Sequence, residues 1–540
     1  MVCVGISDDA PTPRRAGNDS FSTEPNFIKA MFRTRCYLSI TILFLILFTL
    51  PARASVPNGR LPRSTPEAEG VSATGILRFL DEAEASSDHE MHSFMMLRHG
   101  KVIAEGWWSP YTSEYKHLLY SVSKTFTALA VGCAVGEGLI SVEDRVITFF
   151  PELLPDSISP ALSRLTVKHL LTMTTVHDGD PTPRIIPRDE DWVKLFLNEK
   201  LVMEPGTGGQ YNSIASHTLA AIVEKMTGMP LINYLEAKLF RPLHISRFDS
   251  EVSPTGIAAG GWGLRLQTES LAKAGQLMLQ GGVWEGVRLL PETYLADAVA
   301  GPPGERDTDD DWLQGYGYQL WLNSVDGYRM DGAFGQLVVV LPSYDAVIVM
   351  TCEGHDTRKQ MQWIWRNLLP AISPERLPQS RDTERLRQRL AGLALPLPRS
   401  GKAAFGRHPQ NGKYRIAPNA KGIEQLEFDF SEDECLLKIT AHGQTHFLPF
   451  ASGRWHLSNT SYPIPATLPS VTMYKGLPDF TVAGAFAWKS KQELELDLHY
   501  VDGAHSYRFR CKFNGSQLRV RIWESPGRND TSELTGEAVE

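Results

Sequence analysis

The 540-residue chain has few cysteines, no block of like charges and no apolar run of membrane-spanning length. Six cysteines in a chain this long do not make a disulfide scaffold, and their spacings match no zinc pattern, so neither a metal nor a cofactor is expected. There is no Lys/Arg run, and the formal net charge is -8, which excludes the basic surface of a nucleic-acid binder. Internal repeats and low-complexity tracts are also missing. What remains is ordinary: 42% hydrophobic and 21% charged residues, the balance of a folded protein. The length predicts at least two domains.

The longest apolar run, Tyr37 to Leu50, carries only Ser and Thr as polar residues. A spanning helix needs roughly 20 apolar residues. Arg33 and Arg35 precede the run, and Ala52-Arg53-Ala54 follows it. A positive start, a short apolar stretch and a small-x-small site describe a secretory signal peptide, with cleavage expected after Ala54. Residues 1–54 are read as that signal, and Met31 is its more typical start. No cysteine follows the run, which argues against a lipid anchor. The expectation is an exported protein, periplasmic or extracellular, with no stable membrane anchor after cleavage. Cys3 and Cys36 leave with the signal. Cys133, Cys352, Cys435 and Cys511 read as small buried hydrophobes.

From residue 55 to 372 strands sit at both ends and helices in the middle. Ser72 can cap a helix carrying Ile76, Leu77 and Leu80 on one face. Phe94 to Leu97 and Val102 to Ala104 read as a hairpin about Arg98-His99-Gly100-Lys101. The stretch from about 117 to 300 is mainly helical. Strands return at Leu337 to Leu341 and Ala346 to Thr351, followed by a helix with Met361, Ile364, Trp365, Leu368 and Leu369 at helical spacing. The economical fold is α/β of the α+β kind: an antiparallel sheet built from both ends, helices on both faces, and an inserted all-helical domain. Residues 373–404 give a charged helix, Arg381 to Ala391, and a linker holding Pro396 and Pro398.

Residues 405–540 change to period two. Leu426, Phe428 and Phe430 alternate with Glu427 and Asp429, and Leu494, Leu496 and Leu498 with Glu495 and Asp497. Asn514-Gly515 between alternating runs is a strong hairpin signal. This is a separate all-β domain, a barrel or a sandwich. Cys435 and Cys511 both fall on its inward face, as a disulfide or as two buried thiols.

Ser-x-x-Lys on a helix sets a hydroxyl and an amine on adjacent turns of one face. A buried lysine whose charge is disfavoured can take the serine proton. The pattern occurs three times: Ser113 with Lys116, Ser121 with Lys124, and Ser270 with Lys273. Ser113 follows Pro110 in a polar surface turn. Lys273 is most simply a solvated side chain. Ser121 instead opens a helix that is apolar on nearly all sides, Phe126 to Val135, so Lys124 is a buried lysine that needs a reason. The bland alternative is a capping serine and a lysine that snorkels out.

Two further segments supply partners. Pro205 to Ser213 is a Gly-rich loop before an apolar helix, able to present Tyr211 and Ser213 to a cleft. Met330 to Gln336 is a strand edge of small residues where a substrate can approach the backbone, and a strand N–H there can join that of Ser121 as an oxyanion hole. His177-Asp178-Gly179-Asp180 lies in a polar loop without a partner cluster and reads as surface. Trp107 and Trp108 read as core.

Taken in order, these elements resemble the serine β-lactamase and penicillin-binding-protein superfamily in its class C-like branch, which also holds esterases, D-aminopeptidases and 6-aminohexanoate-dimer hydrolases. The resemblance covers about residues 60 to 370. It rests on Leu118-Leu119-Tyr120-Ser121-Val122-Ser123-Lys124-Thr125-Phe126, on Leu165 to Thr174, and on Gly260-Gly261-Trp262-Gly263-Leu264. It implies Ser121 as the acylated nucleophile, Lys124 as its base and Tyr211 as partner in proton transfer. It also implies the backbone N–H groups of Ser121 and Ala333 as the oxyanion hole, with Ser213, Trp262, Asp331 and Gly332 lining the substrate.

Two positions depart from the pattern. The family's Tyr-x-Asn is Tyr211-Asn212-Ser213, and its Lys/His-Thr-Gly is Met330-Asp331-Gly332. Met330 offers no cation for the carboxylate of a β-lactam, and Asp331 would repel it. The expected activity is therefore hydrolysis of a small-molecule or peptide-like ester or amide, one lacking that carboxylate or presenting an amine. The alternatives are a β-lactamase or D,D-peptidase, and a catalytically silent envelope-binding protein of the same fold. The substrate, the role of the β domain and the oligomeric state stay open at this level.

Overall fold

A computed structural model describes residues 59–301, 308–401, 411–465, 470–527 and 531–539. The expected signal at 1–54, with Met31, Cys3 and Cys36, lies outside the described residues. No described helix is long and apolar enough to cross a membrane.

Six strands form the first sheet: β1 (His89–Arg98), β2 (Lys101–Trp107), β3 (Trp321–Leu322), β4 (Tyr328–Gly332), β5 (Gln336–Leu341) and β6 (Ala346–Gly354). Their order is β2-β1-β6-β5-β4-β3, with every neighbour antiparallel. The N-terminal hairpin is thus completed by strands more than 200 residues later. Alternation along the strands splits their side chains between two cores. Met95, Leu97, Val338, Val340, Val347 and Val349 face one. Phe94, Met96, Leu337, Val339, Ile348 and Met350 face the other. Both faces are buried, so the strands read as nearly continuous apolar runs.

Helix α1 (Ala73–Ala85) covers the second face with Ile76, Leu77 and Leu80 buried. Ser72 does sit at its N-cap position, but its side chain makes no capping bond. The first face is covered by the inserted helices α2 (Val122–Gly136) and α4 (Thr268–Leu279), and α3 (Ser213–Thr227) packs on α2 behind them. Gly275 lets α4 lie close to the sheet, since a methyl group there would come within 2.7 Å of Val347 Cγ1.

The C-terminal strands close into a nine-stranded barrel. Antiparallel pairing runs from Gln444–Ser452 round to Phe480–Trp488, and a short parallel pair, Ala451 with Ala485 and Ser452 with Phe486, joins the ends. Strand His456–Thr460 adds to the edge of Phe480–Trp488. Phe428, Phe450, Leu496, Phe509 and Val520 fill the interior. Cys435 and Cys511 are both buried and both free thiols. Of the two readings left open by the sequence, the structure has the thiols.

Candidate active site

Ser121 stands where a strand becomes a helix. Strand His117–Leu118 pairs with Leu264–Leu266, and the Leu119 N–H donates to the Leu264 carbonyl at 3.0 Å. The next residue, Tyr120, takes a left-handed backbone, φ 48°, which turns the chain sharply into α2. A bulky residue there is strained, and such strain is held only where surrounding contacts enforce it. Ser121 is the N-cap of α2, whose residues from Val122 to Ala134 are all buried. The Ser123 hydroxyl accepts from the Leu264 N–H at 3.2 Å, tying the first turn to the neighbouring strand.

Lys124 is 1% exposed. Its Nζ donates to Ser121 Oγ at 2.9 Å and to the Gly261 carbonyl at 2.7 Å. Gly260 and Gly261 bring that carbonyl in by lying against the start of α3, where a methyl group on Gly261 would meet the Ser213 carbonyl at 2.6 Å. Burial lowers the Lys124 pKa to about 7, against a weaker upward pull from Asp180. The shift favours the neutral amine that a base requires.

Tyr211 precedes α3. Asn212 caps that helix, its side-chain oxygen accepting from the N–H groups of Ile214 and Ala215. Tyr211 faces Lys124, whose Nζ lies 4.8 Å from its ring centroid. Burial pushes its phenol up, and a hydrogen bond with Ser121 pulls the other way. The ring stacks on Trp321 and meets Tyr316 edge-on.

The third wall is the β4–β5 turn. Gly332 packs on the segment leading into Ser121 so closely that a methyl group there would lie 2.3 Å from the Leu119 carbonyl oxygen. That approach sets the turn carrying Ala333 against Leu119 and Val122, on either side of Tyr120 and Ser121. Among the described residues, no hydrogen bond takes up the backbone N–H of Ser121 or of Ala333. Phe334, just beyond, is also left-handed at φ 65°. A serine hydroxyl on a depressed-pKa amine, a nearby phenol and two free N–H groups form a set able to activate a nucleophile and receive an oxyanion.

A family profile described as Beta-lactamase matches residues 80–369, more than half of the chain. The chain belongs to the beta-lactamase family. It is an enzyme of the serine-hydrolase class. The 6-aminohexanoate-dimer hydrolase of Paenarthrobacter ureafaciens is 28% identical over 288 residues, 48% of this chain and 71% of that one. Esterase EstB of Burkholderia gladioli is 31% identical over 143 residues, 23% of this chain and 36% of that one. Among solved structures, a candidate 6-aminohexanoate-dimer hydrolase from Bacillus anthracis matches with a TM-score of 0.48 and 19% identity, over 59% of this chain and 89% of that one.

Within this beta-lactamase domain the other sequence candidates part company. Lys116 pairs with Asp249, away from Ser113. Lys273 is 5% exposed rather than solvated, a correction to the sequence reading; its Nζ donates to the His244 carbonyl at 3.1 Å, not to Ser270. Ser213 begins α3, with its N–H donating to Thr182 Oγ1. Trp107 and Trp108 donate to Thr268 and Glu84, outside the site. Asp331 does not stand as a free anion: it accepts from Arg329 Nε at 3.0 Å, and Arg329 is wholly buried with its guanidinium 4.3 Å from the Trp312 ring centroid. Burial raises the Asp331 pKa and Arg329 opposes it.

Three contributors escaped the sequence. Asp180, exposed in the loop read as plain surface, is near enough for its charge to act on both Lys124 and Tyr211. Glu251 is buried, with its pKa pushed up to about 7 despite hydrogen bonds from Trp262 and the Tyr474 backbone. It thereby fixes Trp262, which also packs on Trp192 at 5.5 Å. The third is the barrel itself. Its Asp502 carbonyl accepts from the Leu118 N–H at 3.1 Å, and its Asp502 carboxylate meets Arg265 at 3.3 Å. Nothing in the period-two pattern of residues 405–540 signals that a barrel loop is bonded to the strand leading into Ser121.

Proposed function

We propose that this beta-lactamase-family chain is an exported serine hydrolase that cleaves an ester or amide bond through an acyl-enzyme on Ser121. The carrying observation is Lys124, buried without a carboxylate bonded to it and 2.9 Å from Ser121 Oγ. Neutral Lys124 takes the Ser121 proton as Oγ attacks the substrate carbonyl carbon. The oxyanion so formed is received by the N–H groups of Ser121 and Ala333. Tyr211 hands a proton to the departing alcohol or amine, which leaves Ser121 as an ester. Water then attacks that ester, giving up its proton to the Lys124–Tyr211 pair, and releases the acid and the free serine.

The walls favour a substrate without a carboxylate beside the scissile bond. At the β4–β5 edge Met330 is buried in the core and Asp331 is committed to Arg329. Asp180 adds an exposed negative charge near Lys124 and Tyr211, which suits an amine on the substrate. Two of its relatives, one named 6-aminohexanoate-dimer hydrolase and one named an esterase, support an amide or ester bond. Export rests on the character of residues 1–54, and a mature N-terminus at Ser55 is its test.

The decisive experiment is covalent labelling by a fluorophosphonate, followed by a panel of esters, amino-acid amides, short amide oligomers and a chromogenic β-lactam. Labelling of wild type and not of Ser121→Ala, with turnover of amine-bearing esters or amides above the β-lactam, is expected. Equal labelling of both proteins would remove Ser121 from the reaction.

A further inference from the structure

The two residues that flank the free N–H groups, Tyr120 before Ser121 and Phe334 after Ala333, are both bulky and both left-handed. Their side chains meet, ring centroids 5.3 Å apart, and both converge on one imidazole. That imidazole is His505, supplied by the barrel loop between strands Glu493–Tyr500 and Ser506–Asn514. His505 Nε2 lies 2.5 Å from the Tyr120 hydroxyl, and the Phe334 ring stands perpendicular to the imidazole at 4.6 Å. On the other side His505 Nδ1 lies 2.6 Å from Glu353 Oε1, near the end of β6. His505 is fully buried and Glu353 nearly so.

A carboxylate accepts from Nδ1–H, which leaves Nε2 of a neutral ring as an acceptor. The Tyr120 phenol then donates, and its burial, which holds its pKa well above the usual value, keeps that proton in place. The loop carrying His505 cannot drift, because its Asp502 is bonded to the Leu118 backbone and to Arg265. A fixed Glu353–His505–Tyr120 chain therefore presses on the two strained residues that aim the Ser121 and Ala333 N–H groups. Strain of this kind persists only where something over-determines it.

We infer that His505 is a positioning residue of the active site: through Tyr120 and Phe334, with Glu353 orienting its ring, it holds Ser121 and Ala333 in the geometry that receives the oxyanion. The barrel is then a working part of the catalytic apparatus. This inference rests on the serine-hydrolase reading above.

The test measures the rate of fluorophosphonate acylation and the steady-state constants on a p-nitrophenyl ester for the full chain and its His505→Ala, His505→Gln, Tyr120→Phe and His505→Ala/Tyr120→Phe variants, with melting temperatures alongside. Acylation and kcat are expected to fall roughly 100-fold in His505→Ala, with KM within about threefold, the size of effect of a misplaced nucleophile or a weakened oxyanion donor. The double variant is expected to be no slower than the slower single one, because both act through the same bond. His505→Gln, which can still accept from the phenol, should recover part of the rate. Losses that multiply in the double variant, or a folded His505→Ala that acylates at the wild-type rate, overturn the proposal. If His505→Ala does not fold, Tyr120→Phe decides alone, since it removes one oxygen: a wild-type rate overturns the role of the bond. If labelling does not depend on Ser121, the hydrolase reading falls and takes this inference with it. If labelling depends on Ser121 but not on His505, only this inference falls.

Discussion

Lys124 and Lys273 occupy the same local frame. Each follows a serine by three residues, each lies in a helix packed against the first core, and each is nearly inaccessible to solvent. Burial lowers the pKa of both. They differ in what surrounds them. Lys273 has Glu269 close enough to restore part of its charge, and its Nζ is bonded to the His244 carbonyl rather than to Ser270. Lys124 has only exposed Asp180 to favour its charge, and the Gly261 carbonyl steers its Nζ onto Ser121 Oγ. Burial alone makes a reactive lysine neither necessary nor useful. A second bond that aims the amine at a hydroxyl does.

The comparison is broken most directly at the serines. Ser121→Ala should lower kcat/KM on any ester by roughly 10⁴-fold or more, as loss of an activated nucleophile does, while Ser270→Ala stays within about twofold. Both are read by initial rates on one substrate; a large loss at Ser270 would show that the wrong pair has been chosen. At the bases, Lys124→Met should cost about 10²- to 10⁴-fold in kcat, the range of general base catalysis, and Lys273→Met less than about threefold.

A smaller effect is expected where backbone approach matters. Gly332→Ala places a methyl group 2.3 Å from the Leu119 carbonyl oxygen, so the turn carrying Ala333 must move. We expect a loss of about 1–3 kcal/mol of stability by overpacking, read by denaturant titration, together with a fall in kcat of about tenfold or more. Retained rate and stability would mean that Ala333 does not depend on that contact.

The pH dependence sharpens the comparison further. If neutral Lys124 is the base, kcat/KM should rise with pH through about 7 and level off above it. A flat profile from mildly acid to alkaline pH would contradict this.

Lys124 also ties stability to pH. Between about 7 and 10.5 the unfolded chain keeps the Lys124 proton and the folded chain does not. Stability therefore rises with pH across that window, by at most about 1.4 kcal/mol per pH unit from this group. The penalty of burying the ammonium is fully present below about 7. Lys124→Met should remove that part of the slope, and Lys273→Met a smaller part.

Much of this was legible in residue order. The buried helix after Ser121 set Lys124 apart, the Gly-rich loop marked Tyr211, and Gly332-Ala333 marked a close backbone approach. Alternation announced an all-β domain, barrel or sandwich, with Cys435 and Cys511 on its inner face. The burial of Lys273 is not written in its helix: Glu269 and Gln276 stand about one turn away, as beside a surface lysine, and the His244 carbonyl that takes its amine lies 29 residues off. Asp180 was dismissed because a polar loop carries no trace of the cleft it borders.

The sequence by itself determined the kinds of element and the chemistry each could carry, because helix and strand periodicity, turn residues and a three-residue serine–lysine spacing are local properties. Only the tertiary structure supplied the distant partners of the Ser121–Lys124 pair. It did so by bringing Gly261, 137 residues away, onto the Lys124 amine, and His505, 385 residues away, onto the Tyr120 hydroxyl. Contacts that long are set by how the sheet, the inserted helices and the barrel pack together, and packing leaves no period in a sequence.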